Sequence, residues 1–218
     1  MSRTVRGAAS IVVLAAAVVA LAACGGSSSK SSSSSSGVAA TTAPTAAPPV
    51  PTRHVTGTAT TLGAGNFSGG KDVAVGLYDV TRGAGESGNF VVQGTTDTYN
   101  EILGSNGVPE VRVKISDGDS IQISGLSQVT FTPVTTPLVT AHTPVTLHAG
   151  TWTVGEDVGP GRYVAAQGSG QSGNFFILDA GVNEILGGAS GVPSVTFNVK
   201  NGDVIGVSGL SQVTLTPA

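Results

Sequence analysis

The chain has 218 residues, 10 basic and 13 acidic, with a net charge of -3 and only 11% charged side chains. It has no basic field to hold nucleic acid, and its single cysteine excludes a disulfide framework or a thiolate metal cluster. Thirty-two glycines and eleven prolines, among abundant Ser, Thr and Val, predict short strands and many turns rather than helix bundles.

Arg3 and Arg6 precede an uncharged, largely apolar run from Gly7 to Ala23. This is the plan of a secretory signal, too short and wrongly flanked for a membrane span. It ends in Leu21-Ala22-Ala23-Cys24, followed by Gly25 and Gly26, which resembles the bacterial lipobox. The resemblance implies a signal peptide over residues 1–23, lipid attachment at Cys24, and a chain held on the outer face of the cell membrane. Two or more acyl chains suffice for stable anchoring. An ordinary signal peptide and an uncleaved anchor are the alternatives. Without the signal, eight basic residues face thirteen acidic ones, so the lipid rather than charge would hold the protein to an anionic membrane.

Residues 24–56 are Ser, Ala, Thr and Pro with few large apolar side chains. They bury too little to offset their ordering entropy and are expected to form a disordered tether. The serine half is flexible and the Ala-Pro-Thr half stiffer, with a span of about 30 Å.

Ser124-Gly-Leu-Ser-Gln-Val-Thr130 returns letter for letter as Ser208 to Thr214, which marks a module present twice. Gly65, Phe67, Asp72 and Tyr78 match Gly150, Trp152, Asp157 and Tyr163, and Ser87-Gly-Asn-Phe90 matches Ser172-Gly-Asn-Phe175. Asn100-Glu-Ile-Leu-Gly104 matches Asn183-Glu-Ile-Leu-Gly187, and Gly107-Val-Pro109 matches Gly191-Val-Pro193. The copies run over 57–134 and 145–218, with a Thr-Pro linker at 135–144. A period this long in two copies means tandem domains rather than a solenoid. Each is small enough for the two to pack on each other.

Val111, Val113 and Ile115 alternate with Arg112 and Lys114, and Val195, Phe197 and Val199 with Thr196 and Asn198. That predicts one core face and one wet face, with Arg112 in water. Asp117-Gly118 and Asn201-Gly202 read as type I′ hairpin turns, returning through Ile121 and Ile123, or Ile205 and Val207. The seven-residue repeat reads as the closing strand. Six or seven strands per copy, with no helical periodicity, predict an all-β fold of two tandem sandwich or jelly-roll modules.

Ala149-Gly-Thr-Trp-Thr-Val-Gly-Glu-Asp-Val-Gly-Pro-Gly-Arg-Tyr163 resembles a pattern of secreted proteins and lipoproteins of Gram-positive bacteria, G-T-[YW]-x-V-G-x-D-[IV]-x-x-G-x-Y. Copy one departs from it, with Ser68-Gly69 for Thr153-Val154 and Ala74-Val75 for Gly159-Pro160. The resemblance implies an all-β module outside the cell and brings no activity or site residue with it.

Asn100-Glu101 and Asn183-Glu184 recur in both copies and form a candidate polar site, with Asp72 and Asp157 as repeated carboxylates. Catalysis by Glu101 or Glu184 would need a second carboxylate or a nucleophile nearby; the plainer reading is a polar pair capping a turn. Asp117-Gly-Asp119 and Asn201-Gly-Asp203 offer oxygens in a tight turn, but the other ligands calcium needs are not supplied. His54, His142 and His148 do not repeat and lack metal spacing. Phe67, Tyr78, Trp152 and Tyr163 are a candidate aromatic platform for a sugar ring or protein partner if exposed, and core residues if not. The expectation is a membrane-anchored, non-catalytic binding or structural module with no cofactor and no metal, meeting cell-wall glycan or an envelope protein. The alternatives are an envelope glycan hydrolase and an accessory subunit of a membrane complex.

Overall fold

A computed structural model describes residues 51–94, 98–105 and 107–218. The expected signal peptide, Cys24 and the expected tether as far as residue 50 lie outside them. The described residues fall within one compact unit and form sixteen strands. Copy one contributes β1 (Thr60–Leu62), β2 (Gly65–Ser68), β3 (Gly76–Arg82), β4 (Gly88–Gln93), β5 (Thr98–Leu103), β6 (Glu110–Ile115), β7 (Ser120–Ser124) and β8 (Val129–Pro133). Copy two contributes β9 (Val145–Leu147), β10 (Ala149–Thr153), β11 (Gly161–Gln167), β12 (Ser172–Ile177), β13 (Val182–Gly187), β14 (Ser194–Val199), β15 (Val204–Ser208) and β16 (Val213–Pro217).

Each copy is an eight-stranded jelly roll. In copy one the layers are β1-β8-β3-β6 and β2-β7-β4-β5; in copy two the equivalents are β9-β16-β11-β14 and β10-β15-β12-β13. Alternating apolar residues from both layers meet in separate cores. Phe90, Phe131, Ile115 and Ile121 fill one, and Phe175, Phe197, Ile205 and Leu215 the other. Tyr78 and Tyr163 are wholly buried, each donating its hydroxyl to a carbonyl four residues earlier, Ala74 at 2.7 Å and Gly159 at 3.0 Å. That bond removes the cost of burying a phenol.

β6 and β7 lie in different layers, as do β14 and β15. Asp117-Gly118 and Asn201-Gly202 therefore carry the chain across the sandwich and do not close the expected hairpins. The turn chemistry survives: Gly118 and Gly202 sit at φ of 80° and 89°, where glycine is favoured. Asp119 accepts the Ser116 N–H at 2.7 Å and Asp203 the Lys200 N–H at 3.0 Å, so these carboxylates fasten turns.

The seven-residue repeat is likewise not one strand. It ends β7 or β15, crosses between layers, and begins β8 or β16. Gly125 and Gly209 turn at φ of 74° and 70°, and Leu126 and Leu210 plug the two cores. Glu86 accepts the N–H groups of Ser127 and Gln128 in copy one, and Gln171 those of Ser211 and Gln212 in copy two. The glycine turn, the buried leucine and the capped N–H groups are the same in the two copies.

Leu210→Ala is expected to cost about 2–5 kcal/mol through the cavity it leaves. Ser211→Ala keeps the capped backbone N–H and is expected to be near neutral. Equilibrium urea denaturation of both variants checks the contrast.

Candidate functional site

The copies are fused through a short parallel pairing, Val111 to Ala149 and Arg112 to Gly150. It joins β6 to β10 and makes one eight-stranded sheet of a layer from each copy. Gly150, at φ of 123°, lies so close to β6 that a Cβ would stand 2.1 Å from the Arg112 carbonyl oxygen. No other residue fits there.

Arg112 holds the joint. Strand alternation places it on the wet face of copy one, but copy two covers that face and leaves it 4% exposed. Its guanidinium grips both Asp79 oxygens at 2.8 Å and reaches Asp157 at 2.9 Å. It also lies 3.9 Å over the Trp152 ring. Asp157 takes a second cation, Arg53, at 2.6 Å. His148 stands edge-on to Trp152, with Nε2 3.4 Å from Asp79. Two arginines against the buried Asp157 and the half-buried Asp79 leave little charge unmatched, as burial requires.

Arg53 belonged to the expected tether. Instead Pro51 to Thr56 belong to the folded unit: the Arg53 side chain is buried, and the Pro51 carbonyl accepts the Leu138 N–H at 3.2 Å. Residues 135–144 are also more than a linker, since the Val139 N–H bonds Glu156 at 2.8 Å. A depression of about 470 Å³ opens on this side, with His54 and Lys114 in its wall.

Fusing the copies builds a groove of about 500 Å³. Its floor is the outer face of β10-β15-β12-β13. One row across that face reads Thr151, Gly206, Phe176, Asn183. Gly206 clears the space: a Cβ would stand 2.0 Å from the Phe176 ring. Ser208 and Asn174 form the adjacent row, and Val204 and Leu178 the apolar end.

The wall is copy one's β5, which supplies Thr98, Tyr99, Asn100 and Glu101. Hydrogen bonds fix wall to floor. The Tyr99 and Thr151 hydroxyls are 2.6 Å apart, and the Gly209 N–H donates to Glu101 at 3.2 Å. Burial pushes the Glu101 carboxyl pKa up, against hydrogen bonds from Ser208 and Gly209.

The structure thus brings together Asn100, Glu101 and Asn183 from the sequence-derived polar site. Glu184 is not among the groove-lining residues, and Asp157 serves the joint. The aromatic platform does not form: Tyr78, Trp152 and Tyr163 are buried and Phe67 is half-buried, packed against its core. A small jelly roll has few large side chains and spends them inside. The ring that does reach a surface is Phe176, half-buried in the groove. Its sequence signal was a difference between copies, Phe176 and Gly206 standing where copy one has Val91 and Gln122.

Arg112→Ala is expected to cost about 3–5 kcal/mol, because it removes both bonds to Asp79 and one of the two cations on the buried Asp157, and to shift Trp152 emission to longer wavelength. Urea unfolding followed by fluorescence measures both. Burial raises and the Arg112 and His148 contacts lower the Asp79 pKa, from 3.8 to a net value of about 2. Its contribution, about 1–2 kcal/mol after solvent screening, is present above 3.8 and lost as pH falls towards 2. Stability measured over that interval should fall, and Asp79→Asn should flatten the profile. Glu101 has the opposite sign. A raised carboxyl pKa makes the folded state hold its proton more tightly, so stability declines as pH rises above the ordinary 4.5. Glu101→Gln is expected to be at least as stable as the wild type at neutral pH, by thermal melts at several pH values.

No known protein family, curated protein or solved structure matches this chain.

Proposed function

We propose that this chain is a lipid-anchored extracytoplasmic protein of the cell envelope, and that its fused jelly rolls are a non-catalytic module binding a neutral, hydroxyl-rich saccharide segment of the wall. The groove between the copies carries the reading. Asn100, Asn174 and Asn183 line it with amides, and Thr98, Thr151 and Ser208 with hydroxyls. These groups both donate and accept, as sugar hydroxyls do. Phe176 supplies an apolar ring beside them, the mixture of one stacking surface and a few placed polar groups typical of small-ligand sites. Among the described residues the lining has no cation to attract an anionic ligand.

Location rests on the sequence: the signal-like segment, the lipobox-like Cys24, the tether and the resemblance to secreted Gram-positive modules. A hydrolase reading centres on Glu101. It is the single carboxyl among the described groove-lining residues, whereas paired-carboxylate hydrolysis needs two, roughly 5–10 Å apart. An accessory-subunit reading has one observation in its favour, Leu178, 78% exposed at the rim of the groove.

Calorimetric titration of the full chain with soluble wall-glycan fragments tests the proposal. Phe176→Ala is expected to weaken binding at least tenfold, Asn183→Ala several-fold, and Glu101→Gln little. Glycan turnover abolished by Glu101→Gln would establish the hydrolase instead. Absence of glycan binding, with cross-linking to one envelope protein, would move the assignment to an accessory subunit.

A further inference from the structure

The internal joint is head-to-tail, using one edge of copy one and a different edge of copy two. Such a contact leaves each of the two surfaces used once and open once. The counterpart of β6 is β14, the edge of β14-β11-β16-β9; the counterpart of β10 is β2, the edge of β2-β7-β4-β5. Val111, Arg112 and Ala149 are buried in the joint, while their counterparts Thr196 and Ala64 are exposed and Val195 is half-buried. Neither open strand contains lysine or proline, two of the usual guards of an edge.

The open edges keep the features that set the joint's geometry. Gly65 stands for Gly150, Ser124-Gly125 for Ser208-Gly209, and Glu184 for Glu101. In the joint Glu101 receives the Gly209 N–H; on a second copy the Gly125 N–H has the same place relative to Glu184. Asp72 stands for Asp157 in the same cradle, accepting the Ser68 N–H at 2.8 Å as Asp157 accepts that of Thr153 at 2.9 Å. Its other oxygen corresponds to the one that binds Arg112 and Arg53 in the joint. What the open edges lack is the lock: Thr196 replaces Arg112, Val164 replaces Asp79 and Val182 replaces Tyr99.

We propose that a second copy of this chain adds to the first by laying its β2 in parallel beside β14, repeating the internal joint and extending head-to-tail rows instead of closing a dimer. Gly65, Gly125 and Glu184 preserve the fit. Thr196 withholds the buried charge pairing, which makes the contact between molecules weak and reversible where the contact within the molecule is permanent. The inference is independent of any ligand in the groove.

Sedimentation of the full chain in detergent micelles at rising concentration tests it. The wild type is expected to grow past the dimer without a plateau. Thr196→Arg with Val164→Asp rebuilds the lock against Asp72 of the next molecule, and should tighten association about tenfold, the order of one charge-assisted pair. Adding Asp72→Asn should cancel that gain. Monomers throughout in both wild type and rebuilt variant, growth that stops at a dimer, or a gain that survives Asp72→Asn overturns the proposal. Should the rebuilt variant misfold, disulfide trapping decides. Ala64→Cys and Val195→Cys, matching the Ala149–Val111 register, are combined in a Cys24→Ser background. Oxidation is expected to give a ladder only with both substitutions, and no ladder overturns the proposal.

Discussion

Arg112 and the two carboxylates around it are the constraint on which the rest of this molecule depends. A guanidinium taken out of water costs several kcal/mol unless each of its donors is used. Here Asp79 comes from its own copy and Asp157 from the other, so the full set of partners is assembled only when the copies are docked. Trp152 covers the cation and Gly150 admits the strand beneath it. Two small modules, each with a modest core, thereby become one compact unit with a continuous eight-stranded sheet. Arg53, from the segment before copy one, extends the same cluster and draws the end of the tether into the fold.

Docking also creates the groove. Neither copy has it alone: the floor is the outer face of a copy-two sheet, and the wall is the edge strand β5 of copy one. The Tyr99–Thr151 and Glu101–Gly209 bonds hold the wall at a fixed distance from Phe176. The site lies where the copies differ: Gly206 and Phe176 stand where copy one has Gln122 and Val91, which opens floor space just where β5 crosses above. The cavity is shaped by the strands themselves, so a ligand would meet a surface already in place and lose little affinity to ordering.

The copies differ most where they meet and least where each closes its own sandwich. Leu126 and Leu210, with glycines before them and capped N–H groups after, perform the same crossing in each copy and close its core. At the joint the two surfaces have different jobs. Arg112 and Trp152 have no charged or indole counterpart in the other copy, because the inner contact is permanent and the outer edges face solvent in a single chain.

The sequence by itself determined the duplication, the all-β class and most of the strands, because period-2 alternation and glycine turns are local properties. It also singled out Asn100, Glu101 and Asn183, through their repetition. Which strands share a layer was decided only by the tertiary structure: Asp117-Gly118 has the same local chemistry whether it closes a hairpin or crosses a sandwich. Alternation likewise marked Arg112 as wet, since a pattern along one strand records which residues face that strand's own core and says nothing of a second domain on the other side. Repetition flagged the buried aromatics and Glu184 as readily as the groove residues, because a core and a site both repeat. The groove and its Phe176 floor were beyond local reading, since they arise from residues some 50 positions or more apart that meet only after the two copies dock.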